Sequence, residues 1–258
     1  MIYILMTLHT RQLGKGPDLV LIHGWALSLE VWEPVTELLV RDFRLTLVDL
    51  PGHGGSSMGG EFTVDSVIQK LVTVIPQDAM VLGWSLGGLM VMALAARHPK
   101  RVHKLVLLAS NPCFVSTPDR PLGMAPEVLD RFGQDLIKDY RETVASFLAA
   151  STLGATDGPA LLRHLLQHMN KAPRPDTRAL QGGLRILRNT DLRSQLKNVS
   201  CPTLILMGER DALVPAAVGD ELLEALPNSR LTIIAGAGHA PFLSHPKQFV
   251  RLIRDFAE

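Results

Sequence analysis

Short apolar runs and segments of helical period alternate along most of the chain. Residues 19–22, 45–48, 80–82 and 105–108 read as β-strands, each an apolar run bounded by turn residues. Segments 31–40, 63–75 and 86–97 follow the first three runs and carry apolar residues at helical spacing. Continuously apolar strands separated by helices predict a parallel sheet buried on both faces. The rhythm breaks between about 111 and 191, where helices at 126–140, 143–153 and 159–170 follow one another with no clear strand. Strands at 203–207 and 231–234 and a helix at 246–256 then resume it. The simplest architecture is one α/β core, residues 1–111 and 191–258, interrupted by a helical lid at 112–190 after the strand near 104–109.

The first eight residues, Met1-Ile-Tyr-Ile-Leu-Met-Thr-Leu, are apolar but have no basic start and no small-residue cleavage site. They read as a first strand, with Gly14-Lys15-Gly16-Pro17 as the turn after it. No apolar stretch approaches the roughly 20 residues of a membrane helix. Lys and Arg total 26 against 25 Asp and Glu, a balance that argues against a nucleic-acid binder. Two cysteines, Cys113 and Cys201, are too few for a disulfide scaffold and point to a reducing compartment. These features together predict a cytoplasmic protein, expected to be a monomer. Between Arg141 and Arg188 seven basic residues face three acidic ones. That excess fits a solvated helical face, or a docking surface for an acidic partner. The glycine-dense loop 52–60 lacks the Lys-Ser/Thr ending of a phosphate loop.

Candidate chemistry centres on Gly83-Trp84-Ser85-Leu86-Gly87. The three-letter motif is weak alone, but it sits where a predicted strand meets a predicted helix, as a nucleophile elbow requires. So sharp a turn needs glycines at 83 and 87, since side chains there would strike neighbouring backbone. A serine hydroxyl needs a base, and the base needs an orienting acid. Asp211 follows the strand ending at 207, and His239 follows the strand ending at 234, giving the order Ser, Asp, His. Glu209 is a rival acid two residues earlier. The strand 19–22 ends in His23-Gly24-Trp25, a loop suited to give one backbone N–H to an oxyanion, and Leu86 gives the other from the helix start. His23 is expected to brace this loop. Cys113 reads as a packed thiol, Trp32 as a core residue, and His164 with His168 as solvated residues despite their zinc-compatible spacing. No metal or organic cofactor is expected.

These residues resemble the α/β-hydrolase superfamily and, within it, the pimeloyl-acyl-carrier-protein methyl ester esterases of biotin synthesis. The likeness runs through nearly the whole chain. It rests on His23-Gly24-Trp25, Glu30-Val31-Trp32, Leu47-Val48-Asp49-Leu50-Pro51-Gly52, Leu82-Gly83-Trp84-Ser85-Leu86-Gly87-Gly88-Leu89, Pro112-Cys113-Phe114, Phe147-Leu148-Ala149 and His239-Ala240-Pro241-Phe242. The resemblance implies a mostly parallel sheet flanked by helices and a Ser85–His239–Asp211 triad, with Trp25 and Leu86 as oxyanion donors. It further implies an acyl pocket lined by Trp25, Phe147, Leu148, Ala149, Ala150 and Ser151. Its substrate would be a small acyl ester whose acyl carrier protein docks on lid arginines, of which Arg163 and Arg141 are candidates. Glu142, Ser146 and Pro159 depart from that basic pattern. The same scaffold also suits a general short-chain carboxylesterase, a lactonase or a carbon–carbon bond hydrolase. A low-turnover ligand receptor is the reading from a different class.

Overall fold

A computed structural model describes residues 8–258 of the chain. The strand expected at the apolar start therefore falls, for residues 1–7, outside the described residues. Among the described residues seven strands form one sheet: β1 (Thr10–Leu13), β2 (Asp18–Ile22), β3 (Arg44–Val48), β4 (Ala79–Trp84), β5 (Val102–Leu108), β6 (Thr203–Gly208) and β7 (Ser229–Ile234). Their spatial order is β1-β3-β2-β4-β5-β6-β7, all parallel except β1, which runs antiparallel to β3. β2, β3 and β5 are almost wholly buried and β4 and β6 wholly so, as the unbroken apolar runs predict for a sheet covered on both faces.

The core helices are α1 (Glu33–Leu39), α2 (Val64–Val74) and α3 (Leu86–Arg97). The 31–40 segment proves to be a 3₁₀ turn, Leu29–Trp32, before α1, with Pro34 admitted in the first helical turn where no N–H is required. Thr63 caps α2 by a reciprocal box with Ser66. All residues of α3 up to Ala96 are buried, so this helix is apolar all round.

Between β5 and β6 lies an insertion of four helices: α4 (Pro126–Lys138), α5 (Tyr140–Thr152), α6 (Gly158–Lys171) and α7 (Thr177–Asn189). The expected single helix 126–140 stops at Lys138, because Asp139 leaves helical geometry and its carboxylate caps the Glu142 N–H of α5 at 3.0 Å. The pattern of the sequence did not suggest α7, whose interior carries the helix-weakening pair Gly182-Gly183. α8 (Ala217–Ala225), α9 (Pro241–Ser244) and α10 (Pro246–Ala257) complete the core.

The chain leaves β2 toward β3 and returns past it to β4, so the topology reverses between β2 and β4, where open α/β sheets form their crevice. Ile22 pairs with Gly83, Trp84 with Leu108, and Gly208 with Ile234. The loops after β2, β4, β6 and β7 therefore leave the sheet at one rim.

Arg120, only 5% exposed, fixes the first loop of the insertion. Its guanidinium donates to Glu221 of α8, Asn111 Oδ1 and the carbonyls of Cys113 and Leu122. Arg120→Ala would leave these acceptors without their cation and should lower unfolding free energy by about 3 kcal/mol, read from the urea midpoint.

Candidate active site

Ser85 occupies the junction of β4 and α3 with φ 56° and ψ −118°, a left-handed conformation that strains a residue bearing a side chain. The surrounding glycines permit it. A Cβ on Gly83 would sit 2.6 Å from the Gly88 Cα, and one on Gly87 would sit 2.5 Å from the His23 carbonyl oxygen. The elbow thus packs directly on the loop after β2 as well as on its own turn.

Ser85 Oγ lies 2.8 Å from His239 Nε2, and His239 Nδ1 lies 2.7 Å from Asp211 Oδ2. The other carboxylate oxygen of Asp211 accepts the Leu213 and Val214 N–H groups at 2.8 and 2.9 Å. Those bonds orient the carboxylate as an acceptor, so Nδ1–H donates to it and Nε2 is left to accept from the serine hydroxyl. Glu209, the rival acid, instead accepts the Gly236 N–H at 2.8 Å. Trp84 packs into the core against Trp32 and Phe242, and its indole N–H donates to the His239 carbonyl at 2.7 Å. It therefore holds the histidine loop from beneath.

The loop after β2 comes against the elbow. A Cβ on Gly24 would lie 3.4 Å from Ser85 Cβ. His23 is fully buried, and burial depresses its pKa, so the ring is neutral. Its Nε2 accepts the Leu50 N–H at 3.0 Å, which fixes the proton on Nδ1, and Nδ1–H donates to the Gly24 carbonyl at 2.7 Å. The Gly24–Trp25 peptide is thereby oriented beside the serine. Asp49 ties down the neighbouring turns by accepting the Leu29 and Gly55 N–H groups and the His9 ring.

A family profile described as the alpha/beta hydrolase fold matches residues 17–246. The chain belongs to the alpha/beta hydrolase family. Among curated relatives, the pimeloyl-[acyl-carrier protein] methyl ester esterase of Aeromonas hydrophila is 40% identical, covering 97% of this chain and 99% of its own. The one from Salmonella enteritidis is 44% identical over 93% of this chain and 94% of its own. Among solved structures, an esterase from Exiguobacterium antarcticum shares the fold at a TM-score of 0.89 and 23% identity, covering 97% and 96% of the two chains. An esterase from Rhodococcus sp. ECU1013 superposes at 0.78 with 28% identity over 96% and 93%.

In this hydrolase the insertion lies over the site: Ser85 is 1% exposed and His239 fully buried. Phe147, Leu148 and Ser151 are buried on the inner side of α5. The Phe147 ring meets the Trp25 indole edge-on at 4.8 Å, and the Ser151 carbonyl accepts the His239 N–H at 3.2 Å. Ala150 is half-buried against the core, whereas Ala149 is exposed and is not brought into this cluster. Arg141 and Arg163 are exposed on α5 and α6, and Arg141 donates to Asn170 at 3.1 Å. Leu180 and Gly183 of α7 also reach the site, although the sequence reading named neither. Cys113 is a buried thiol whose pKa is raised by desolvation. His164 is exposed, while His168 is half-buried against Ser28 Oγ at 3.2 Å. Among the described residues no helix is long and apolar enough to cross a membrane.

Burial holds the pKa of His53 down to about 3 and that of His168 down to about 4. An unfolded histidine takes up a proton near pH 6.5, so between these limits the unfolded state binds more protons. Stability from these rings is complete above about pH 6.5 and is lost as pH falls toward 4. The urea midpoint should decline across that window, and His168→Gln should decline less steeply.

Proposed function

We propose that this chain is a serine carboxylesterase that hydrolyses the methyl ester of pimeloyl-acyl-carrier protein in biotin synthesis. The hydrogen-bonded Ser85–His239–Asp211 relay carries the chemical reading, and the curated relatives support the substrate. His239 Nε2 takes the Ser85 proton as Oγ attacks the ester carbonyl. Asp211 holds the imidazole tautomer and stabilises the imidazolium that forms. The tetrahedral oxyanion is held by the N–H groups of Leu86 and Trp25. Collapse breaks the bond to methoxide, which leaves as methanol with the proton from His239. Water, deprotonated by the same ring, then attacks the acyl-enzyme and releases the acid and Ser85. Every proton and charge in this sequence is handled by these groups, so no metal or organic cofactor enters.

A carrier-bound methyl ester also contains a thioester, usually the more reactive carbonyl. Attack on the ester alone requires the carrier to remain outside and the acyl chain to thread inward. Residues 112–190 act as the lid in this reading, with Phe147, Leu148 and Ser151 against the acyl chain, and Arg141 and Arg163 meeting the carrier. The enzyme works as a cytoplasmic monomer.

Ser85→Ala should reduce ester hydrolysis by on the order of 10⁴-fold or more, measured with a p-nitrophenyl ester; undiminished turnover would overturn the mechanism. The carrier-bound ester should be preferred over butyrate and acetate esters by about a thousandfold, a preference of roughly 4 kcal/mol in transition-state binding. Parity would favour a general short-chain esterase. Turnover of the carrier-bound ester should fall with added salt while small esters are unaffected.

A further inference from the structure

The indole of Trp25 bonds across the molecule. Its Nε1–H donates to the Leu180 carbonyl of α7 at 2.9 Å, a contact between residues 155 apart in the chain. The same indole rests edge-on against Phe147 of α5. α7 can come this close because position 183 has no side chain. A Cβ there would lie 2.6 Å from the indole Cδ1, 3.0 Å from Nε1 and 3.2 Å from the Leu86 side chain. One glycine of the insertion thus abuts both residues assigned above as oxyanion donors, Trp25 and Leu86. Gly182 is equally confined, since a Cβ there would lie 2.9 Å from the Phe62 carbonyl oxygen. Two adjacent glycines in a helix interior cost about 1 kcal/mol each relative to alanine, and close approach is what they supply here.

We infer that seating of α7 on the Trp25 indole sets the oxyanion hole, making the Trp25 side chain a positioning link between the insertion and the reacting carbonyl. This rests on the oxyanion reading proposed above. The Gly24–Trp25 peptide is held on its carbonyl side by His23. All described peptides are trans, so its N–H points the opposite way. A single bond leaves that plane free to tilt, and the indole anchored on Leu180 and Phe147 supplies the further restraint. Ser85 is 1% exposed, so substrate entry requires the insertion to shift. That shift loosens Trp25, and reseating α7 over the bound acyl chain restores the donor. The donor is then in place when an ester is enclosed, a form of induced fit.

The test compares Trp25→Phe, which keeps the ring contact but removes the indole N–H, with Gly183→Ala, which pushes α7 away. On a short p-nitrophenyl ester each should lower kcat by about tenfold with KM within about twofold. Affinity for a trifluoromethyl ketone, whose adduct with Ser85 carries an oxyanion, should fall by the same factor as kcat/KM. Thermal melts verify folding, and if one variant fails to fold the other decides. Unchanged kcat and ketone affinity would overturn the inference, as would a raised KM at unchanged kcat, which marks plain pocket lining. Ser85→Ala assayed alongside separates the two readings: its inactivity with normal Trp25 and Gly183 variants refutes the link alone, whereas its full activity refutes the site itself.

Discussion

The fold converges on one strained residue. Ser85 holds a left-handed backbone conformation that costs on the order of 1–3 kcal/mol, and it is kept there by contacts too close for any side chain at 83 or 87. Those contacts join β4, α3 and the loop after β2 into one rigid corner. A parallel sheet buried on both faces holds the corner in register, since a strand that slips by one residue exchanges its two packed faces and disrupts the packing on each. Strain in the elbow is therefore opposed by the whole core.

From this corner the site grows outward through hydrogen bonds of defined polarity. His23 is neutral because it is buried, and it bridges Leu50 N–H and the Gly24 carbonyl because its tautomer is fixed. His239 is placed by Asp211 on one side and by Trp84 and Ser151 through its backbone. The core supplies some of these partners and the insertion others. Ser85, His239 and the loop after β2 are thus held jointly by both parts of the chain.

The sequence carried the core well, because continuous apolar runs between helical segments have few other physical readings. α3 was legible to its last residue, and the elbow, Asp211 and His239 could be placed from strand ends alone. Asp211 and Glu209 are both candidate acids in the sequence, and the structure separates them: Asp211 bonds the His239 ring, whereas Glu209 accepts the Gly236 N–H. The insertion was less legible. Periodicity separates the helices at 126–140 and 143–153 but misplaces their junction, which Asp139 fixes as the capping carboxylate of α5. α7 escaped because Gly182 and Gly183 weaken the local helical signal, while their worth lies in contacts with Phe62, Trp25 and Leu86 far away in the chain. Local pattern cannot report a vacancy shaped by a distant partner.

The distance between Ser85 and His239 along the chain, 154 residues, has a consequence for synthesis. A ribosome makes Ser85 154 residues before the ring that it hydrogen-bonds in the folded chain. Until β7 and the loop after it emerge and dock beside β6, the Ser85 hydroxyl is without its His239 partner. On the function proposed here, a nascent chain that stops short of His239 cannot cleave an ester through this pair, however much of the sheet it has already built.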